Sequence, residues 1–271
     1  MGVLIKIDGV TFDPKNIIDT VEIPDEPIVP DEPVVPVTIA DYPVTDTLKG
    51  LYDLGGTAEA SLVNHAPEPH VNTTAEKFDG TYAVADDYIT FSGATNSTRM
   101  HTYLRLPLDH GLTYIAMFSV PTNARVLIGN RSAGGAATAY GVTLRNDGVE
   151  FGNNGTYVIR TFPAINSDNF AILAMTVDEN GLRVVRYTND ALIAPLYNSA
   201  DDTDFVSIDK WAAGSSGNAI GIAGYSQSGN AHYDADISLA AIHEGVLTDE
   251  QLTEICAFVK NYGEQKGLTI E

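Results

Sequence analysis

Gly221-Ile-Ala-Gly-Tyr-Ser-Gln-Ser-Gly-Asn-Ala-His-Tyr-Asp-Ala-Asp-Ile-Ser-Leu-Ala-Ala-Ile-His-Glu-Gly-Val-Leu-Thr-Asp-Glu-Gln-Leu252 (221–252) decides the fold. It opens as a short apolar strand at Gly221–Gly224, turns through Ser, Gly and Asn, and resumes as a longer strand from Tyr233. Thr248 then stands as an N-cap with Gln251 three residues on, the spacing of a capping box. Leu252, Ile255, Val259 and Tyr262 continue one apolar stripe at helical spacing, with Gly263 as the expected C-cap. The stripe reads as core, and the single cysteine, Cys256, falls on its inner side as a packed thiol. A β domain closed by one covering helix is the expectation.

Upstream, the pattern is a meander. Leu112–Val120, Val126–Gly129 and Tyr140–Arg145 read as strands, and Asn146-Asp-Gly148 turns the chain into Val149–Phe151. Asn153-Asn-Gly155 leads into Thr156–Phe162, and Phe170–Val177 turns at 178–181 into Leu182–Tyr187. Arg131–Thr138 reads as a flexible loop. Turn signals at intervals of about ten residues are what a two-sheet sandwich requires.

The 271 residues suffice for one large all-β domain or two small ones. A net charge of −21 argues against nucleic acid or an anionic membrane as a partner, because both would repel it. One cysteine rules out an internal disulfide, and no signal peptide or membrane-spanning run is read, so synthesis in a reducing cytoplasm is expected.

The start of the chain has its own organisation. Residues 1–22 contain an apolar run, 3–12, broken at Asp8-Gly9, a hairpin signal. Two readings stand: the hairpin packs on the main domain, or it docks into a larger assembly. Residues 23–39 form a linker in which Ile23–Ile28 repeats as Val29–Val34, with proline at every third position and Asp-Glu pairs between. Proline removes amide donors and favours polyproline II, so residues 23–37 are a stiff spacer reaching about 45 Å. Residues 40–271 are the main domain, and the layout is that of an anchor, a stalk and a head.

The closing segment and three upstream strands carry a resemblance. Leu48–Gly56, Asp86–Gly93, Leu112–Val120 and Gly221–Leu252 are similar, in pattern and order, to concanavalin A-like (laminin G-like) lectin domains. The resemblance implies a two-sheet antiparallel jelly-roll sandwich with a short C-terminal helix. The family's Asp-Gly is Asp234-Ala235 here. Lys6-Ile-Asp-Gly-Val-Thr-Phe12 also resembles the openings of some bacteriophage virion proteins. Together these imply a virion fibre or decoration protein, assembled in the host cytoplasm. It would contact other virion proteins through its N-terminal segment and host or environmental glycans through its head. Self-association into a homo-oligomer is compatible with the stalk, although its hexapeptides carry no heptad.

The residues themselves favour binding over catalysis. Hydrolases on this fold set Glu-Xaa-Asp-Xaa-Glu along one strand face, and no such run occurs. Asp234 and Asp236 alternate, but no third acid follows at Ser238. No nucleophile elbow, zinc-protease motif or phosphate-binding loop is present, and the six histidines lack metal-ligand spacing. An enzyme is therefore not expected. Trp211, alone among Gly and Ser, reads either as a sugar-stacking platform or as a plug beneath its loop. Tyr225, Asn230, His232 and Tyr233 read either as a shallow glycan pocket or as ordinary turn residues. Asp201, Asp202 and Asp204 form the densest acidic loop, and calcium, frequent in the family, would be held there. A ligand-free structural protein, a polysaccharide hydrolase centred on Asp234 and Asp236, and a bacterial surface adhesin are the alternatives.

Overall fold

The computed structural model describes residues 36–67, 76–92, 98–106, 110–121, 126–130, 141–153, 156–178, 180–202, 205, 219–224 and 234–271. The chain divides into two units, Met1–Val35 and Pro36–Glu271, and every described residue belongs to the second. The hairpin expected at 3–12 and the stalk up to Val35 lie outside the described residues.

Two antiparallel sheets face each other. The larger runs β13 (Ala191–Leu192), β12 (Leu182–Thr188), β11 (Ser167–Val177), β6 (Leu112–Val120), β16 (Ala235–Glu244), β4 (Ile89–Ser92) and β3 (Thr81–Val84). To these add β1 (Leu48–Asp53) on β16 and β14 (Tyr197–Asn198) on β12, nine strands in all. The smaller sheet has seven, in the order β10 (Thr156–Thr161), β9 (Gly148–Asn153), β8 (Val142–Arg145), β7 (Val126–Gly129), β15 (Gly221–Ile222), β5 (Arg99–His101) and β2 (Lys77–Asp79). A one-turn helix, α1 (Ala58–Ser61), follows β1, and α2 (Asp249–Gln265) closes the chain. This is the expected jelly-roll sandwich with a C-terminal helix.

The central strands of the nine-stranded sheet are buried on both faces. Along β6, Leu112, Tyr114, Ala116, Phe118 and Val120 enter the core between the sheets, while Ile115 and Met117 face the layer beneath α2. All nine residues are buried, so the strand reads as a mainly apolar run, interrupted only by Thr113 and Ser119, rather than an alternating one. β16 behaves alike, except that a register shift between Ile237 and Leu239 bulges Ser238 and changes the phase. Ala235, Ile237, Ala240 and Ile242 face the inter-sheet core; Leu239 and Ala241 face α2.

Helix α2 begins with the expected capping box: Gln251 N donates to Thr248 Oγ1 at 3.3 Å, and Thr248 N donates to Gln251 Oε1 at 3.0 Å. Leu252, Ile255, Cys256 and Val259 are buried against the nine-stranded sheet. Burial pushes the Cys256 thiol up to about 12, as expected of a packed, unreactive cysteine. The C-cap is a correction. Gly263 lies inside the helix, where a Cβ would come 2.6 Å from Met117 Sδ, so this glycine admits the sheet. The left-handed residue beyond the helix end is Gly267, with φ of 89°.

Candidate functional site

Strand alternation decides which side chains of the seven-stranded sheet leave the core. Met100, Ile222, Ile128, Leu144 and Val149 form one cross-strand row, and all five are buried between the sheets. The neighbouring row points outward and takes one residue from every strand: Lys77, His101, Gly221, Gly129, Thr143, Glu150 and Ile159. An outward row of polar residues is ordinarily solvated. Here its middle is not: His101 is 7% exposed, Thr143 0% and Glu150 2%. Its two ends, Lys77 and Ile159, are exposed.

Two adjacent glycines flatten the middle of this row. At Gly129 a Cβ would come 2.4 Å from Thr143 Oγ1, so the glycine is what lets threonine stand opposite it. That hydroxyl is buried with no hydrogen-bond partner among the described residues. Beside it, Glu150 accepts from Arg145 Nη1, and Arg145 Nε donates to Asp147 Oδ1 at 2.8 Å.

At the β2–β5 edge a compact polar cluster occupies the same outward face. Lys77 Nζ lies 2.9 Å from Asp79 Oδ1, and His101 Nε2 lies 2.7 Å from Asp79 Oδ2. Arg99 Nε donates to the same His101 nitrogen at 2.7 Å. Burial pushes the Asp79 carboxyl up, but its contacts with Lys77 and His101 outweigh it and hold the group below the usual range. Burial, then the Arg99 charge, lower His101, so the imidazole is neutral near pH 7. Tyr103 stacks on His101 with ring centroids 5.4 Å apart and an interplanar angle of 20°. Its backbone is left-handed, with φ of 54°, a conformation that costs a residue other than glycine about 1–2 kcal/mol.

Five of the residues singled out from sequence, Trp211, Tyr225, Asn230, His232 and Tyr233, lie outside the described residues, as does Asp204. Their segments, 206–218 and 225–233, precede and follow in sequence the stretch that holds β15, the strand that contributes Gly221 to the outward row. Asp201 is exposed at the end of a 3-10 turn, Ser199–Asp201. The Asp202 carboxylate accepts from Arg160 and, at 3.0 Å, from the Tyr197 hydroxyl. No cluster of three or more His, Cys, Asp or Glu side chains with metal-binding geometry is found among the described residues.

Asp236 sits on β16 between Ala235 and Ile237, which face the core, so its side chain lies on the opposite face, away from the outward row. Burial raises its pKa, the Thr90 hydroxyl opposes that by donating to Oδ1 at 2.6 Å, and the charge of Asp234 adds to it. A separate open groove of about 490 Å³ lies where the β11–β12 turn meets the start of α2. Its polar groups are engaged locally: Asp178 Oδ1 accepts from Asn180 N and Gly181 N, Ser199 Oγ from Leu182 N, and Arg183 pairs with Asp249.

No protein-family model matches this chain, and no curated protein matches it. Solved structures do. Domain 4 of AbnA, an extracellular arabinanase of Geobacillus stearothermophilus solved with arabinotriose, has a TM-score of 0.53 at 16% identity. That alignment covers 77% of this chain and 98% of the arabinanase domain. The binding domain of Paraclostridial Mosquitocidal Protein 1 has a TM-score of 0.50 at 13% identity, over 79% of this chain and 52% of that one. The receptor-binding domain of botulinum neurotoxin C/D mosaic serotype aligns at a TM-score of 0.49 and 11% identity, over 81% of this chain. The chain spans about half the length of these two binding domains, 52% and 55%. The likeness is one of fold.

Proposed function

We propose that residues 36–271 are a glycan-binding module that takes its ligand over the outward face of the seven-stranded sheet, without catalysis. The observation that carries this is the outward row, where His101, Thr143 and Glu150 lie almost wholly out of solvent on a face turned away from the core. Polar groups removed from water make stronger hydrogen bonds, and the face is reachable at its β2–β5 edge, where the Lys77 side chain is 51% exposed and that of Asp79 28%. A sugar, dense in hydroxyls, is the ligand class such a face fits. The similar arabinanase domain was solved with arabinotriose, which supports the same class for this chain.

The protein as a whole we read as a bacteriophage virion appendage that displays this module. The reading rests on the acidic proline repeat at 23–37 following an apolar N-terminal segment, and on the resemblance of Lys6–Phe12 to virion-protein openings. The absence of catalysis rests on Asp236 lying on the other sheet, turned away from the outward row.

The test is binding of the full chain to a glycan array and to whole bacterial cells, with calcium and with chelator, beside Trp211→Ala and Tyr233→Ala. Saturable binding, reduced in a folded variant and without release of reducing ends, is the expected result. No binding on any surface would sink the lectin reading and favour a ligand-free structural protein. Release of reducing ends that stops in Asp236→Asn would make it a hydrolase.

A further inference from the structure

We propose that Tyr103 with Asp79, His101 and Arg99 forms a subsite for one sugar ring at the β2–β5 edge of the outward face. The inference rests on the glycan-binding reading and adds to it a place and a ligand chemistry.

His101 Nε2 lies 2.7 Å from Asp79 Oδ2 and 2.7 Å from Arg99 Nε, and a ring nitrogen has one proton position. If Nε2 accepts from Arg99, its lone pair faces a carboxylate oxygen. If Nε2 carries the proton and donates to Asp79, it presents N–H to the guanidinium N–H. Each tautomer sets one pair of like groups against each other. A hydroxyl both donates and accepts, so it can give its proton to Asp79 and take one from Arg99, easing either mismatch. An ammonium or a carboxylate matches only one side, and a purely apolar ligand matches neither.

Geometry narrows the class from alcohol to sugar. Tyr103 offers an aromatic ring beside the cluster, stacked on His101 and still partly exposed. Sugar rings pair an apolar C–H face with hydroxyls at the rim, which fits a phenol ring stacked on the histidine that Asp79 contacts. The left-handed backbone at Tyr103 holds a side chain where glycine would be less strained, as found where strain is retained for function. The edge is reachable: the Lys77 side chain is 51% exposed and that of Asp79 28%.

The test follows the tyrosine ring signals of the full chain by NMR during titration with arabinotriose, cellotriose, maltotriose and trigalacturonic acid. The variants are Tyr103→Gly, which suits the backbone and removes the ring, and Asp79→Asn, which keeps the shape and removes the charge. The expected result is a saturable shift of Tyr103 with at least one probe, and a tenfold or greater loss of affinity in both variants. Lys77→Met, at an exposed position, checks the site without burdening the fold and should weaken binding several-fold. If the chain binds glycans on the array while all three variants bind as wild type, the subsite is wrong and the lectin reading stands. If no glycan binds wild type, both fall.

Discussion

The Tyr42 hydroxyl and His243 Nε2 stand 3.0 Å apart, and the Thr47 hydroxyl lies 3.0 Å from His243 Nδ1. The imidazole thus ties the segment entering the domain to the central strand, β16, through both ring nitrogens. Tyr42 is 4% exposed and His243 0%, so a charge on this ring would be held out of water.

Burial accordingly pushes the His243 pKa down to about 3, against 6.5 for an ordinary histidine. The sign follows from proton counting: between those values the unfolded chain binds a proton the folded chain refuses, so stability falls as the pH drops below 6.5. At pH 5 the loss from this group alone is about 2 kcal/mol relative to neutral pH. Urea unfolding of wild type and His243→Gln at pH 7 and pH 5 should show a smaller acid-dependent loss in the variant. Equal losses would mean the ring is not neutral and buried as described.

Gly263 and Gly267 should respond differently to alanine. At Gly263 the added methyl meets Met117 Sδ at 2.6 Å and Ile270 Cδ1 at 3.1 Å, so overpacking opposes the gain in helix propensity. Gly263→Ala should lower stability by about 1–2 kcal/mol. At Gly267 nothing lies within 4 Å, and the cost is that of a left-handed backbone alone, about 1 kcal/mol. Asn should restore stability at 267, where it tolerates that conformation, and not at 263. Thermal unfolding of the four variants decides it.

That contrast also shows where sequence reading succeeds. The helix start was legible because a capping box is local, four residues whose bonds close on themselves. The helix end was not, because Gly263 and Gly267 both follow an apolar stripe and only packing against Met117 tells them apart. Strands β6 and β11 were legible because burial on both faces makes long apolar runs. β2 and β5 were missed because three residues each give no usable period. The edge cluster they build joins Asp79 to His101 across 22 positions, a pairing that only the sheet creates. A signal was nevertheless there: Arg99, His101 and Tyr103 alternate around Met100 and Thr102, which are both fully buried.

Asp202 tests the acidic loop. Its carboxylate accepts from Arg160 and from the Tyr197 hydroxyl, linking the 3-10 turn to β10 and β14. Asp202→Asn removes the charge and should cost about 1 kcal/mol, discounted for the partial exposure of Arg160. Millimolar calcium should leave the melting temperature of wild type unchanged, because the carboxylate is already committed. A calcium-dependent rise that disappears in Asp202→Asn would return this loop to a metal-binding role.

Thr143 separates stability from binding. Its side chain is fully buried in the outward row, opposite Gly129 and Glu150, and its hydroxyl has no hydrogen-bond partner among the described residues. Valine has the same shape without the oxygen. Removing a buried, unsatisfied hydroxyl should stabilise the fold by about 1 kcal/mol. If a ligand enters this row by displacing what covers it, that hydroxyl becomes its partner, and Thr143→Val should weaken binding about tenfold, the loss of one hydrogen bond. Gly129→Ala supplies the opposite control, since its methyl would collide with Thr143 and should destabilise by about 1–3 kcal/mol. A rise in melting temperature together with a fall in glycan affinity would mark Thr143 as a residue whose stability is given up for recognition. A rise with affinity unchanged would move the ligand off this row.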